Sequence, residues 1–137
     1  MPQKVSHQTA LIYVMVLVSA ADSEMPDREL GAIGTIVSTL PVFRDFDPED
    51  LVTIAEECAS ILAGDNGLED VLAIAKAALN SKFRETAYAL ACDVAATDGE
   101  LPQEELRLLE LIRHTLNIDR LTAAAIERGA AARYAHP

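Results

Sequence analysis

The sequence predicts an all-α fold: a single-domain bundle of about seven helices that contains two pseudo-symmetric helix–loop–helix units. Three observations predict it. No segment of the 137 residues alternates apolar and polar side chains with strand period, whereas apolar residues recur three and four apart in most of the chain. Half of the residues are hydrophobic but only 4% are aromatic and none is Trp, so the core must be aliphatic and alanine-rich, which suits closely packed helices. A motif also occurs twice: Asp22-Ser23-Glu24-Met25-Pro26-Asp27-Arg28-Glu29-Leu30 returns 76 residues later, without a gap, as Asp98-Gly99-Glu100-Leu101-Pro102-Gln103-Glu104-Glu105-Leu106.

The elements follow in order. The first helix, from about His7 to Ala21, is apolar nearly all round and is expected at the centre. The second, Pro26–Leu40, carries Leu30, Ile33, Ile36 and Leu40 on one face, with Pro26 in the first turn, where its missing N–H costs nothing, and Pro41 as the stop. The third starts with Asp47 as cap and Pro48 at the first position, and has a stripe of Leu51, Ile54, Ala55, Cys58, Ile61 and Leu62. Gly64-Asp65-Asn66-Gly67 breaks the chain before a fourth helix over Leu68–Leu79. Asn80-Ser81 restarts it, and Ser81 opens a fifth helix to about Thr97. The sixth, Pro102–Leu116, places Leu106, Leu109, Ile112 and Leu116 on one face, matching the second position for position. The seventh, about Asp119–Arg133, is alanine-rich and weakly patterned. There is no low-complexity tract and no linker, so residues 1–137 read as one domain with repeat units at about 7–40 and 82–116.

Charge narrows the function. The net charge is -11, and the acid is concentrated in residues 1–70, with 3 Lys/Arg against 13 Asp/Glu, while the remainder holds 8 against 9. No basic stripe exists to neutralise phosphates, so neither nucleic acid nor an anionic membrane face is an expected partner. The apolar run Ala10–Ala21 after Lys4, ending in Val18-Ser19-Ala20, looks like a secretory signal. The repeat argues otherwise, because the same stretch aligns with Ala87–Thr97 deep in the chain. The run is also too short to span a bilayer. A cytoplasmic location is expected, with Cys58 and Cys92 as buried free thiols on apolar helical stripes.

The duplicated loop carries the chemistry. Asp22 and Asp98 sit where a helix ends, an odd place for a carboxylate because that end of the helix dipole is negative. Glu24 and Glu100 lie nearer the next helix and suit capping. Glu29 and Glu105 fall one turn inside it and lean back toward the loop. Three readings compete. The acids are caps and first-turn residues; or Asp22, Glu24, Glu29, Asp98, Glu100 and Glu105 bind a hard divalent cation such as Ca, Mg or Mn; or Arg84, ahead of the second loop's helix, neutralises one cluster as a salt-bridge partner. The spacing is not that of an EF-hand, whose twelfth position needs an oxygen, because here it falls on Ile33 and Leu109. No Gly-x-Ser-x-Gly, phosphate loop or dinucleotide fingerprint is present, and His7, His114 and His136 are scattered, so no enzyme is expected. Asp93 interrupts an apolar run and is expected to be exposed.

At both loops the chain resembles the tellurite-resistance B (TerB-like) family, whose signature is an Ala-Asp-Gly-Glu turn entered from an apolar helix and followed by a Glu one turn on. The residues that carry the resemblance are Ala20-Ala21-Asp22-Ser23-Glu24-Met25-Pro26-Asp27-Arg28-Glu29 and, more closely, Ala95-Ala96-Thr97-Asp98-Gly99-Glu100-Leu101-Pro102-Gln103-Glu104-Glu105. Arg84 also matches the family's habit of an Arg ahead of the second such helix, while Ser23 replaces the usual Gly. The resemblance implies an all-helical fold, a bacterial cytoplasmic or membrane-associated setting reached through partner proteins, and a link to tellurite and other stress. It implies no catalytic reaction, and it carries the idea of a cation at the acidic cluster.

Overall fold

The structure, a computed structural model, describes residues 4–20, 27–97, 103–135 and 137. Among the described residues there are seven α-helices and no strand: α1 (His7–Ser19), α2 (Asp27–Thr39), α3 (Leu51–Leu62), α4 (Gly67–Ala78), α5 (Ser81–Ala96), α6 (Gln103–Thr115) and α7 (Arg120–Arg133). Each starts and stops within a few residues of the sequence expectation. Two 3₁₀ turns, Pro41–Phe43 and Pro48–Asp50, join α2 to α3. The second corrects the expected start of the third helix. Asp47 does cap, its carboxylate accepting from the Glu49 N–H at 3.0 Å, but what it caps is a 3₁₀ turn, and regular helix begins only at Leu51.

α1 is the central helix because its sequence leaves no polar face. All ten residues from Ala10 to Ser19 are buried. Ser6 starts it, its hydroxyl accepting from the Thr9 N–H at 3.1 Å. α3, α4 and α5 pack on α1, with α2 and α6 touching it more lightly, and α7 lies on α5. The core is one continuous cluster of aliphatic side chains and alanines joined by Tyr13 and Tyr88, as the shortage of aromatics requires. Both cysteines are buried and free. The Cys58 thiol donates to the Tyr13 carbonyl at 3.6 Å, and burial pushes both thiols up to about 12.

Local chemistry sets the other helix ends. Asn80, not Ser81, caps α5, its side-chain oxygen accepting from the Phe83 N–H at 2.9 Å. Asp119 caps α7 through the Thr122 N–H at 3.1 Å and the Thr122 hydroxyl at 2.6 Å. α6 ends in a Schellman turn: Asn117 takes a left-handed φ of 59°, Ile118 N–H reaches the Arg113 carbonyl, and Asn117 N–H reaches that of His114. Ile118 is buried, which supplies the apolar contact such a turn usually makes. Gly67 opens α4 so close to the end of α3 that a Cβ there would stand 2.3 Å from the Leu62 carbonyl oxygen.

Candidate functional site

The relation between α1 and α5 sets where the chain leaves for the two acidic segments, which lie outside the described residues. His7, at the start of α1, stacks on Phe83, at the start of α5, with ring centroids 5.0 Å apart and planes 15° apart. Both helices start at this stack and pack closely on one another, so they run in the same direction. At the far end, Leu17 of α1 and Ala20 just after it share a cavity of about 460 Å³ with Arg107, Leu108 and Leu111 of α6, and with Leu62 and Leu68 at the α3–α4 turn. Ala96, at the end of α5, likewise shares a cavity with Leu106 in the second turn of α6. The chain therefore leaves for both acidic loops, after Ala20 and after Thr97, at one end of the bundle.

Of the six predicted ligands, Asp22, Glu24, Asp98 and Glu100 lie outside the described residues. Glu29 falls in the first turn of α2, the expected place one turn inside the helix. Glu105 holds the matching place in α6 and is buried, at 8% exposure, in a turn whose neighbours Leu106 and Arg107 are exposed. Among the described residues no group of three or more His, Cys, Asp or Glu side chains lies close enough to hold a metal ion.

Arg84 lies elsewhere. It sits in the first turn of α5, beside the His7–Phe83 stack, and the helical rise separates it from Thr97 by about 20 Å. Its Nη2 donates to the Lys76 carbonyl at the end of α4, at 2.8 Å, and its Nε is buried without a hydrogen-bond partner. It lines a small cavity of about 90 Å³ with Glu85 and the Asn117–Asp119 turn. Arg84 thus ties the opposite end of the bundle together, which sets it apart from the second acidic loop.

Two polar contacts hold α7 to α5. The Tyr88 hydroxyl donates to Glu127 Oε2 at 2.5 Å, and burial, reinforced by this carboxylate, pushes the phenol well above its ordinary range. Asp93 pairs with Arg133, so its expected exposure is corrected: its side chain is only 17% exposed, and the partner comes from α7. Sequence reasoning missed Tyr88, Arg107, Glu110 and Glu127, which line the two larger cavities. For Tyr88, Arg107 and Glu110 the signal was present in the repeat, where the second copy puts polar residues at positions the first keeps apolar or small; Glu127 lies beyond it.

The family model for the tellurite resistance protein TerB matches residues 8–128. This chain belongs to the TerB family. The match covers all seven helices except the first residue of α1 and the end of α7, so it includes both acidic segments of the sequence and the α1–α5 pair. No curated protein and no solved structure gives a significant match. No helix among the described residues is long and apolar enough to cross a membrane.

Proposed function

We propose that this TerB protein is a non-enzymatic stress-response module, of the tellurite-resistance kind, whose duplicated acidic loops bind a divalent cation such as Ca, Mg or Mn. The observation that carries the reading is the shared end of the bundle: α1 and α5 run in the same direction, so two loops with three acids each depart from one side. A single loop offers too few oxygens for a hard cation; two loops together, with waters, offer enough. Glu29 and Glu105, one turn inside α2 and α6, supply the helical members of the set, and Asp22, Glu24, Asp98 and Glu100 the loop members. The cation would supply charge neutralisation and a link between the loops. The readout is then a change in surface passed to partner proteins, in the cytoplasm or at a membrane reached through them.

The second reading is a protein-interaction module in which the acidic residues are structural caps. It draws on the apolar side chains that α6 and α7 leave in solvent, Leu106, Leu111 and above all Leu121, which is 81% exposed.

Thermal unfolding of chelator-stripped protein separates the two. A bound cation raises the melting temperature by mass action, and Asp98→Asn blunts that rise while leaving the cation-free protein as stable or more so, since like charges repel by about 1 kcal/mol per close pair. If the acids only cap helices, millimolar calcium, magnesium and manganese change nothing, Asp98→Asn is nearly neutral, and Glu100→Ala costs about 1 kcal/mol. A flat melting temperature across all three ions removes the cation site and leaves the interaction module.

A further inference from the structure

The second large cavity has a different origin from the acidic end, and comparing the two halves of the chain exposes it. It is about 460 Å³, with α5 as floor and α6 and α7 as walls. The 76-residue offset that aligns the acidic loops also aligns its lining with residues of the first half. Floor residues Tyr88 and Cys92 fall on Ile12 and Val16, which are fully buried in α1. On the α6 wall, Glu110 falls on Gly34 and Arg113 on Val37. The repeat ends at Leu40 and Leu116, so Glu127 and Ala130 on the α7 wall have no counterpart in it.

In the first half these positions close the gap. A Cβ on Gly34 would lie 3.7 Å from Leu51 Cδ2, so α2 and the start of α3 meet there, and Val37, Leu51 and Ile54 are all in the core. In the second half α6 carries the carboxylate of Glu110 where α2 has Gly34, and α7 adds that of Glu127 to the same lining. Two like charges in one lining disfavour closing the slot.

The chemistry of the slot selects a ligand. Its interior is apolar, made by Leu109, Ala96 and Ala130, with Tyr88 as the aromatic on the floor. Glu110 and Glu127 stand exposed at the mouth, and Glu127 is already fixed by the Tyr88 hydroxyl at 2.5 Å. Among the described residues of the lining the cation is Arg113, whose Nη2 lies 3.2 Å from the His114 ring nitrogen. Two carboxylates and a phenol ring around an apolar slot match a protonated amine on an apolar body. A volume of this size suits a small molecule. We propose that the α5–α6–α7 cavity is a binding site for a small amphipathic ammonium compound, with its apolar part between α6 and α7 and its cationic nitrogen held by Glu110 and Glu127.

The test uses three six-carbon probes at neutral pH, hexylammonium, hexanol and hexanoate, each titrated into the full chain and followed by amide chemical shifts. Hexylammonium should perturb α5, α6 and α7 in the neighbourhood of Tyr88 and bind roughly tenfold more tightly than hexanol, with hexanoate weaker still. Glu110→Gln with Glu127→Gln removes both charges but leaves an amide oxygen to accept from the Tyr88 hydroxyl, so the fold survives, and it should reduce hexylammonium to the affinity of hexanol. Ala130→Ile, which puts a larger side chain into the slot, should weaken binding of all three probes. Hexanoate binding as tightly as hexylammonium would assign the head group to Arg113 and overturn the proposal. So would the absence of saturable binding, or hexylammonium shifts confined to the residues beside the two acidic loops.

Discussion

Replacing Gly67 by alanine tests the packing that holds α3 and α4 on the central helix. In an ordinary helix this substitution stabilises, because glycine costs up to about 1 kcal/mol relative to alanine. At Gly67 the added Cβ would stand 2.3 Å from the Leu62 carbonyl oxygen and 2.6 Å from the Leu62 carbonyl carbon and Cα. These are backbone atoms of the last turn of α3, so no side-chain rotation relieves the contact. Reaching ordinary van der Waals distance requires α3 and α4 to part by about 1 Å, and both are packed against α1. Strain of that kind costs about 1–3 kcal/mol or more, which outweighs the propensity gain. For a chain of this size each kcal/mol moves the melting temperature by about 4 °C, so Gly67→Ala should lower it by roughly 4–12 °C. Gly31→Ala is the control: among the described residues no atom lies within 4 Å of its Cβ position, the residue is exposed in α2, and a rise of a few degrees is expected. Scanning calorimetry of the two variants beside the parent decides it. A melting temperature for Gly67→Ala at or above the parent's would show that the α3–α4 turn has slack and would refute the close approach.

Two further predictions concern titrating groups. Cys58 and Cys92, with thiols held near 12 by burial, should expose on the order of one thiolate in ten thousand at pH 8 and resist a soluble disulfide reagent until the protein unfolds; rapid labelling of native protein would contradict the packing of both. Asp119 is held below its ordinary value of 3.8 by its bonds to Thr122, so its cap contributes fully above that value and is lost as pH falls through the lower folded value. Asp119→Ala should therefore melt below the parent by a constant margin above pH 5, and the margin should shrink below pH 4; a margin that persists at pH 2 would mean that the loss is not of the charged cap.

Much of the fold was legible because it rests on local chemistry. An apolar run without a polar face could only become a central helix, and α1 is one. Prolines, Asn80 and Asp119 mark helix starts in ways that sequence shows directly. The 3₁₀ turn at Pro48–Asp50 was not legible, because a proline at the first helical position suits both kinds of turn and the choice depends on how Leu51 reaches the core. Asp93 was misread for a related reason: its partner, Arg133, lies 40 positions away on a helix whose packing partner no local pattern names. Arg84 was placed by analogy with the acidic loop, but a 16-residue helix separates the residue at its start from the loop at its end. The polar residues of the α5–α6–α7 slot were visible one by one, yet only the packing shows that they meet.

The direction of α5 relative to α1 decides what the acidic loops can do. Had the two helices run antiparallel, each loop would leave from an opposite end, separated by roughly 20 Å of helix and well beyond the screening length of about 8 Å at physiological salt. The stacking of His7 on Phe83 fixes the parallel arrangement at one end, and the cavity that joins Ala20 to Arg107 marks it at the other. The chain then leaves from one side for both loops, whose sequences together carry six of the acids of a chain with a net charge of -11. Ordinary salt relieves such a concentration by screening, and it does so gradually and without regard to the identity of the ion. A coordinated divalent ion relieves it at low concentration, saturably, and differently for calcium and magnesium, whose preferred distances and ligand numbers differ. Melting temperatures measured against sodium chloride at matched ionic strength therefore carry the decisive contrast. A rise that calcium or manganese produces at micromolar to millimolar levels, and that sodium reproduces only through ionic strength, belongs to a site; one that follows ionic strength alone belongs to an acidic surface.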